Sequence, residues 1–355
     1  LVKPYRDTPA AQARVNRADV FLPLGLAAAA VGLTILARGL KLDAAKVELL
    51  LALGIPAFVV FAFSSRPIRF GLGVGALFLA SLARPDDFGR VVDVERSFFG
   101  VHRVYTDTTK NLRLLFHGGT MHGVQSLDPA RAREPLAYYS RSGPIGQVFE
   151  GFRGEAPQSV AVVGLGAGAL AGYVRAGQLW TFFEIDPKVL RLARDAGYFT
   201  YLRDAPATVD VVVGDARTSI ARLDRRYDLI VLDAFSSDAV PVHLLTREAI
   251  QLYLSRLNRG GILAFHISNR FLRLRRLFAA LASDASLAHT TQIDLKREAV
   301  AAWTGRLPSE WVLLARSYDD FRALKLDERW APIGDAPVRV WTDDYSNLLS
   351  LFRWR

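Results

Sequence analysis

Cysteine is absent from the 355 residues, which excludes a disulfide framework, a thiolate metal site and a cysteine nucleophile. Methionine occurs once, at Met121, and the chain opens on Leu1, so it is expected to be a piece of a longer polytopic protein. Histidine is scarce: there are six, none in a His-x-His or His-x3-His pair and none with a suitably spaced acid. That argues against a metal site. His117, His122, His243 and His266 are therefore expected to pack or to touch substrate. The chain also has no internal repeat and no low-complexity tract.

Acids are in deficit. Lys and Arg number 45 against 35 Asp and Glu, a formal net charge of +10. In a soluble protein that surplus raises the question of nucleic acid. Here much of the apolar content is concentrated in long runs before residue 85, which points to a lipid membrane as partner, and no nucleic acid is expected. The runs are VFLPLGLAAAAVGLTILA (Val20 to Ala37), LLLALGIPAFVVFAF (Leu49 to Phe63) and FGLGVGALFLASLA (Phe70 to Ala83). The first is uncharged and has about the length of a membrane helix. The other two are shorter, and Arg66, Pro67 and Arg69 separate them. Residues 1–90 are read as a transmembrane region of two or three helices, with a soluble helical subdomain as the alternative. Arg and Lys flank every run on both sides, so the positive-inside rule sets no orientation.

After Arg84-Pro85-Asp86-Asp87 the pattern changes. SFFGVHRVYTD, NLRLLFHGG and MHGVQSL alternate polar and apolar residues between glycine turns and predict a small antiparallel sheet within residues 91–150. YYSRSGPIGQVF predicts the start of a helix. From Ser159 the apolar stretches SVAVVG, WTFFEI, VDVVVG, YDLIVLD and GGILAFHI predict buried strands. Helices are expected to begin near Ala167, Pro187, Thr218, His243 and Phe271. That alternation makes residues 151–355 an α/β domain with a parallel sheet.

In such a sheet ligands bind beyond the carboxyl ends of the strands. The first strand is followed by Gly164-Leu165-Gly166-Ala167-Gly168, whose glycines let backbone approach a ligand closely. The second is followed by Glu184, placed to accept hydrogen bonds from ribose hydroxyls. A nicotinamide enzyme and an S-adenosylmethionine enzyme are equally served to this point. Asp215 ends the third strand, where it can meet an adenine amino group, and Asp233 ends the fourth. Acids after three successive strands suit an adenosine bearing a cationic sulfonium and would repel a pyrophosphate.

The stretches RSFFGVHRV, LLFHGGTMHGVQSLDP, EPLAYYSRSGPIGQVF, VVGLGAG, FFEIDP, GDAR, YDLIVLDAFSSDAVPVHLLT and WTDDYSN follow one another from Arg96 towards the C-terminus. In that order they resemble the spermidine synthase family of aminopropyltransferases, and look closest to its membrane-fused branch. The resemblance implies a small β unit, then a Rossmann-like methyltransferase core whose parallel sheet has an antiparallel edge. It also implies decarboxylated S-adenosylmethionine as co-substrate, no metal, a small amine or polyamine as acceptor, and a homodimer. The catalytic domain is placed in the cytoplasm, where such a donor is made. Carried over residue by residue, Gly164, Gly166 and Gly168 form the donor loop, Glu184 holds the ribose and Asp215 the adenine. Asp233 matches the acid that takes the proton from the attacking amine, which is protonated near neutrality and cannot attack until it loses that proton. Tyr138 or Tyr139 takes the place of the family's gate tyrosine, with Tyr139 set beside Asp233 at the reacting centre. Asp238, Tyr138, Gln125 and His266 are assigned to substrate.

Two departures leave an alternative open. The family's glycine loop reads GGGDGG, and its Asp binds the amine of the donor; here that place is Ala167. The family's DSSDP has become Asp233-Ala234-Phe235-Ser236-Ser237-Asp238, which displaces the second carboxylate. A Gly-Leu-Gly-Ala-Gly loop is what ordinary methyltransferases carry, so intact S-adenosylmethionine is the alternative donor and a membrane-bound methyltransferase the alternative enzyme. A non-catalytic nucleoside-sensing domain of a transporter is the third reading. Asp343 and Asp344 are expected to cap a terminal helix, with negative charge lent to a polyamine pocket as the alternative.

Overall fold

The first apolar run folds as helix α1, Arg17–Gly39, with Asp19 in its first turn and Pro23 inside it. Within the second run the described residues include helix α2, Ile55–Ala62, and the third gives α3, Pro67–Leu82. In this computed structural model residues 16–39, 50, 54–82, 88–152, 158–234, 241–295, 306–334 and 338–353 are described. Contacts divide the chain into two units, Leu1–Asp87 and Phe88–Arg355. Within the first, α1 and α3 are tied by a buried charge: Asp19 is 3% exposed and meets Arg69 Nε at 3.0 Å.

The transmembrane spans expected in residues 1–90 are not found among the described residues. Among the described residues no helix is long and apolar enough to cross a membrane. At 1.5 Å per residue α3 covers about 24 Å, against a hydrocarbon core of about 30 Å. The uncharged part of α1, between Asp19 and Arg38, covers about 27 Å. The charged pair of Asp19 with Arg69 also marks the end of its apolar stretch.

The second unit begins with an antiparallel meander of four strands: β1 Arg90–Ser97, β2 Gly100–Asp107, β3 Leu112–His117 and β4 Thr120–Ser126. His117 pairs with Thr120 across the two-residue Gly118-Gly119 turn, and Gly118 takes the left-handed φ of +57° that such a tight hairpin needs. Three of these strands follow the expected pattern, whereas β1 was not foreseen. It is an edge strand whose residues alternate between exposed and half-buried, and its charges, Asp93 and Glu95, suppress the apolar signal. One face of the meander packs Tyr105, Leu114, Phe116 and Val124 together. The other places Val104 and Leu115 against Ala167, Leu192 and Phe199 of the following domain.

That domain is built on a seven-stranded sheet. In chain order its strands are β5 Ser159–Val163, β6 Leu179–Glu184, β7 Val209–Val213, β8 Tyr227–Leu232, β9 Leu257–His266, β10 Ala288–Asp294 and β11 Ser309–Ala315. In space they run β10-β11-β9-β8-β5-β6-β7, parallel from β9 to β7 and antiparallel at β11 and β10. Buried side chains cover both faces, as near-continuous apolar strands such as Val160–Val163 require. This is the Rossmann-like α/β fold with an antiparallel edge that was expected. Helices α4 Pro144–Gly151, α5 Pro187–Leu190, α6 Ala216–Arg222, α7 Arg247–Ser255 and α8 Arg275–Asp284 flank it. The helix expected near Ala167 is only a five-residue 3-10 turn, Ala169–Tyr173. Its Gly172 lies against the preceding segment, so closely that a Cβ would stand 2.6 Å from the Arg133 carbonyl. Asp343 does not cap a terminal helix: it takes two bonds from Arg217 at 2.7 and 2.6 Å and one from Thr246, joining α6 to α7.

Candidate functional site

Strand order reverses between β5 and β8, which opens a crevice beyond their carboxyl ends. A cavity occupies it, lined among others by Gly164, Gly166, Glu184, Asp215, Asp233 and Tyr139. Gly164 has φ +96°, and a Cβ there would stand 2.3 Å from the Asp233 carbonyl. At Gly166, φ is +52° and the added atom would stand 2.5 Å from the His122 carbonyl. The loop is thus pressed between β8 and β4, and only glycine fits at both points. Gly168, φ +81°, starts the 3-10 turn and does not line the cavity.

Glu184 is 8% exposed, and its two oxygens accept the amides of Leu165 and Asp186 at 2.9 Å each. Burial pushes its pKa up, against the pull of those amides. Asp215 caps α6 through the Thr218 amide at 2.8 Å and meets His243 Nε2 at 3.0 Å. Burial acts to raise its pKa, but Thr218 and His243 outweigh it and hold it below the ordinary carboxylate value. Asp186 was not foreseen as a site residue. It caps α5, accepts from Ser97 and pairs with His102 at 2.9 Å. Those hydrogen bonds likewise outweigh burial and lower its pKa.

The opposite wall comes from the meander. His102 on β2 stands across from His117 on β3, ring centroids 4.4 Å apart, and His122 on β4 lies 5.5 Å from His117. The His117 Nε2 donates to the Phe99 carbonyl at 2.8 Å, whereas the buried Nε2 of His122 has no partner among the described residues. Burial, then the neighbouring His117, press the pKa of His122 down to about 4, so it is neutral near pH 7. Among the described residues no group of three or more His, Asp or Glu is placed to hold a metal ion. The turn sets His117 opposite Thr120, but a bulge between Leu115 and Phe116 takes His122 out of the ladder, so strand alternation gave no signal for the histidine wall.

At the mouth of β8 the Asp233 carboxylate is held from two sides. The Tyr139 hydroxyl donates to its Oδ2, and His266 Nδ1 lies 2.7 Å from its Oδ1. Burial and the Asp233 charge keep the Tyr139 pKa well above its ordinary value, so the phenol remains the donor. His266 stands behind Asp233 rather than on the cavity wall. Tyr138 packs against Tyr139 and His266, with centroids 4.9 and 5.1 Å away. Gln125 spends its amide on Ala132 and Thr200, at 2.8 to 3.0 Å, and does not line the cavity. Asp238 lies outside the described residues.

The cavity wall therefore carries four carboxylates, Glu184, Asp186, Asp215 and Asp233, and no Lys or Arg among its described residues. Such a wall favours a ligand with net positive charge. It presents backbone and acid groups suited to a nucleoside, beside a carboxylate able to accept a proton.

Residues 192–304 match the family model described as S-adenosyl-L-methionine-dependent methyltransferase. The polyamine aminopropyltransferase of Vibrio vulnificus is 34% identical over 123 residues, 32% of this chain and 38% of that protein. An N-terminal histidine N-methyltransferase of Emericella nidulans is 33% identical over 120 residues, 32% of this chain and 20% of that protein. The matches thus span well under half the length of these curated relatives. A probable spermidine synthase from Corynebacterium glutamicum superposes with a TM-score of 0.50 at 18% identity, over 68% of this chain and 86% of that one. The chain thus has a methyltransferase-type Rossmann fold, and its likeness to the aminopropyltransferases, read from the sequence, is borne out.

Proposed function

We propose that the chain is an aminopropyltransferase that moves an aminopropyl group from decarboxylated S-adenosylmethionine to an amine. The observation that carries this reading is the cavity wall: four acids and, among its described residues, no Lys or Arg. An intact donor would bring a carboxylate into that field, whereas the decarboxylated donor brings only positive charge. Glu184 serves the ribose, Asp215 the adenine end, and Gly164 and Gly166 admit the nucleoside against backbone. Asp233 takes a proton from the acceptor ammonium. The freed nitrogen attacks the carbon next to sulfur, the C–S bond breaks, and sulfur keeps the electron pair as a neutral thioether.

Ala167 supports a second reading, because no acid stands where the aminopropyl amine would be held. A methyltransferase using the same nucleoside pocket is that alternative. Calorimetric titration with the intact and decarboxylated donors separates the two: tighter binding of the decarboxylated form supports aminopropyl transfer, and tighter binding of the intact form supports methyl transfer.

A lipid partner remains part of the proposal through exposed apolar faces rather than through a span. Phe21, Leu24, Ile35, Phe58, Phe61 and Phe78 of α1, α2 and α3 are all exposed. Flotation of the protein with liposomes tests it, and failure to float with any lipid composition refutes it.

A further inference from the structure

The role proposed for Asp233 leaves a proton to be placed, and the groups behind that carboxylate form a continuous hydrogen-bonded line. His266 closes β9 and is 7% exposed. Its Nδ1 lies 2.7 Å from Asp233 Oδ1, and its Nε2 lies 2.8 Å from Ser268 Oγ. Ser268 Oγ in turn accepts the Glu310 amide at 2.8 Å. That amide uses one lone pair of the hydroxyl and leaves its hydrogen free to turn towards or away from Nε2. The hydroxyl can therefore partner Nε2 whether or not that nitrogen carries a proton, and Nδ1 donates to the ionised carboxylate or accepts from the protonated one, without moving a heavy atom. The ring also lies against two aromatic residues: Trp311 stacks on it at 4.7 Å and 20°, and Tyr138 is tilted to it at 5.1 Å. Aromatic faces attract a positive charge placed over them. A histidine meant only to fill space has no need of an acid, a hydroxyl and two rings arranged in this way.

We propose that His266 is the proton store of the site. The proton leaves the acceptor ammonium for Asp233, whose Oδ1 passes it to Nδ1 of a ring that carries its own proton on Nε2 towards Ser268 Oγ, so that Asp233 is again an anion beside an imidazolium. The acceptor nitrogen forms its new C–N bond and retains its remaining protons as a secondary ammonium; the stored proton later returns to solvent. His266 touches neither donor nor acceptor and acts through Asp233. Among the described residues, the titratable groups around it include Tyr138 and Tyr139, His122 on β4, and Glu310 on β11, which is paired with Arg275.

This inference rests on the aminopropyl-transfer reading, and the test keeps the two apart. Turnover with decarboxylated S-adenosylmethionine and an amine panel is measured for the wild type, His266→Asn and His266→Gly across pH 6 to 9. In His266→Asn the side-chain amide retains a donor towards Asp233 and removes the titratable ring. The expected result is a fall in kcat of about 100-fold, with acceptor KM and donor Kd changed less than about threefold. The His266→Gly variant regains rate in proportion to added imidazole. A His266→Asn variant with kcat within about twofold of wild type and no response of His266→Gly to imidazole overturns the proton store while leaving aminopropyl transfer standing. A wild type that forms no aminopropylated amine overturns both.

Discussion

His122 offers a quantitative test of the packing around the cavity, because its environment costs the fold stability in acid. Its pKa lies at about 4 in the folded protein, against 6.5 for an unperturbed histidine, through burial first and the neighbouring His117 second. As pH falls below 6.5 the unfolded chain binds a proton that the folded chain refuses. Stability attributable to this residue is therefore intact above pH 6.5, declines as pH falls towards 4, and levels off below it. The full difference of 2.5 units corresponds to about 3 kcal/mol. Partial exposure of the ring screens it, so about 2 kcal/mol is expected. His122→Gln removes the titration and retains a polar side chain. Urea unfolding of wild type and variant at pH 7 and pH 4 measures the difference. The variant should lose about 2 kcal/mol less than the wild type between the two pH values. If both lose the same amount, His122 is not held neutral by its surroundings, and the account of the histidine wall is wrong.

Asp233→Asn should lower kcat by about 1,000-fold while donor affinity, measured by calorimetry, stays within about threefold. Gly164→Ala should destabilise the second unit by about 2 kcal/mol or more and weaken donor binding, because the residue has positive φ and its added atom meets the Asp233 carbonyl. A variant as stable as wild type would mean that the loop does not press against β8.

The core strands were legible because parallel strands buried on both faces read as apolar runs that end in glycine or acid, as at Val163-Gly164 and Leu232-Asp233. Neither β10 nor β11 could be located so easily: Thr290, Thr291 and Gln292 are buried polar residues, and nothing in AHTTQID marks it as a strand of the core. The N-terminal runs are a different case: no membrane span is found among the described residues. Apolar composition states that a helix avoids water, while its length and the pairing of Asp19 with Arg69 are set by where charges fall and by tertiary contact. In the site, residues on one strand end each were readable, and Glu184, Asp215 and Asp233 do line one cavity. Asp186, His102 and His122 were not, because their convergence depends on how the meander docks against the glycine loop. His266 was assigned to substrate, whereas it stands behind Asp233 and off the cavity wall, a placement that follows from the pairing of β9 with β8 and β11.

The measurement that bears most directly on the central claim is identification of the products formed from decarboxylated S-adenosylmethionine and a panel of amines, by mass spectrometry, with intact S-adenosylmethionine run beside it. Methylthioadenosine together with an aminopropylated amine is the predicted result. S-adenosylhomocysteine and a methylated product from the intact donor, with nothing from the decarboxylated one, would contradict it.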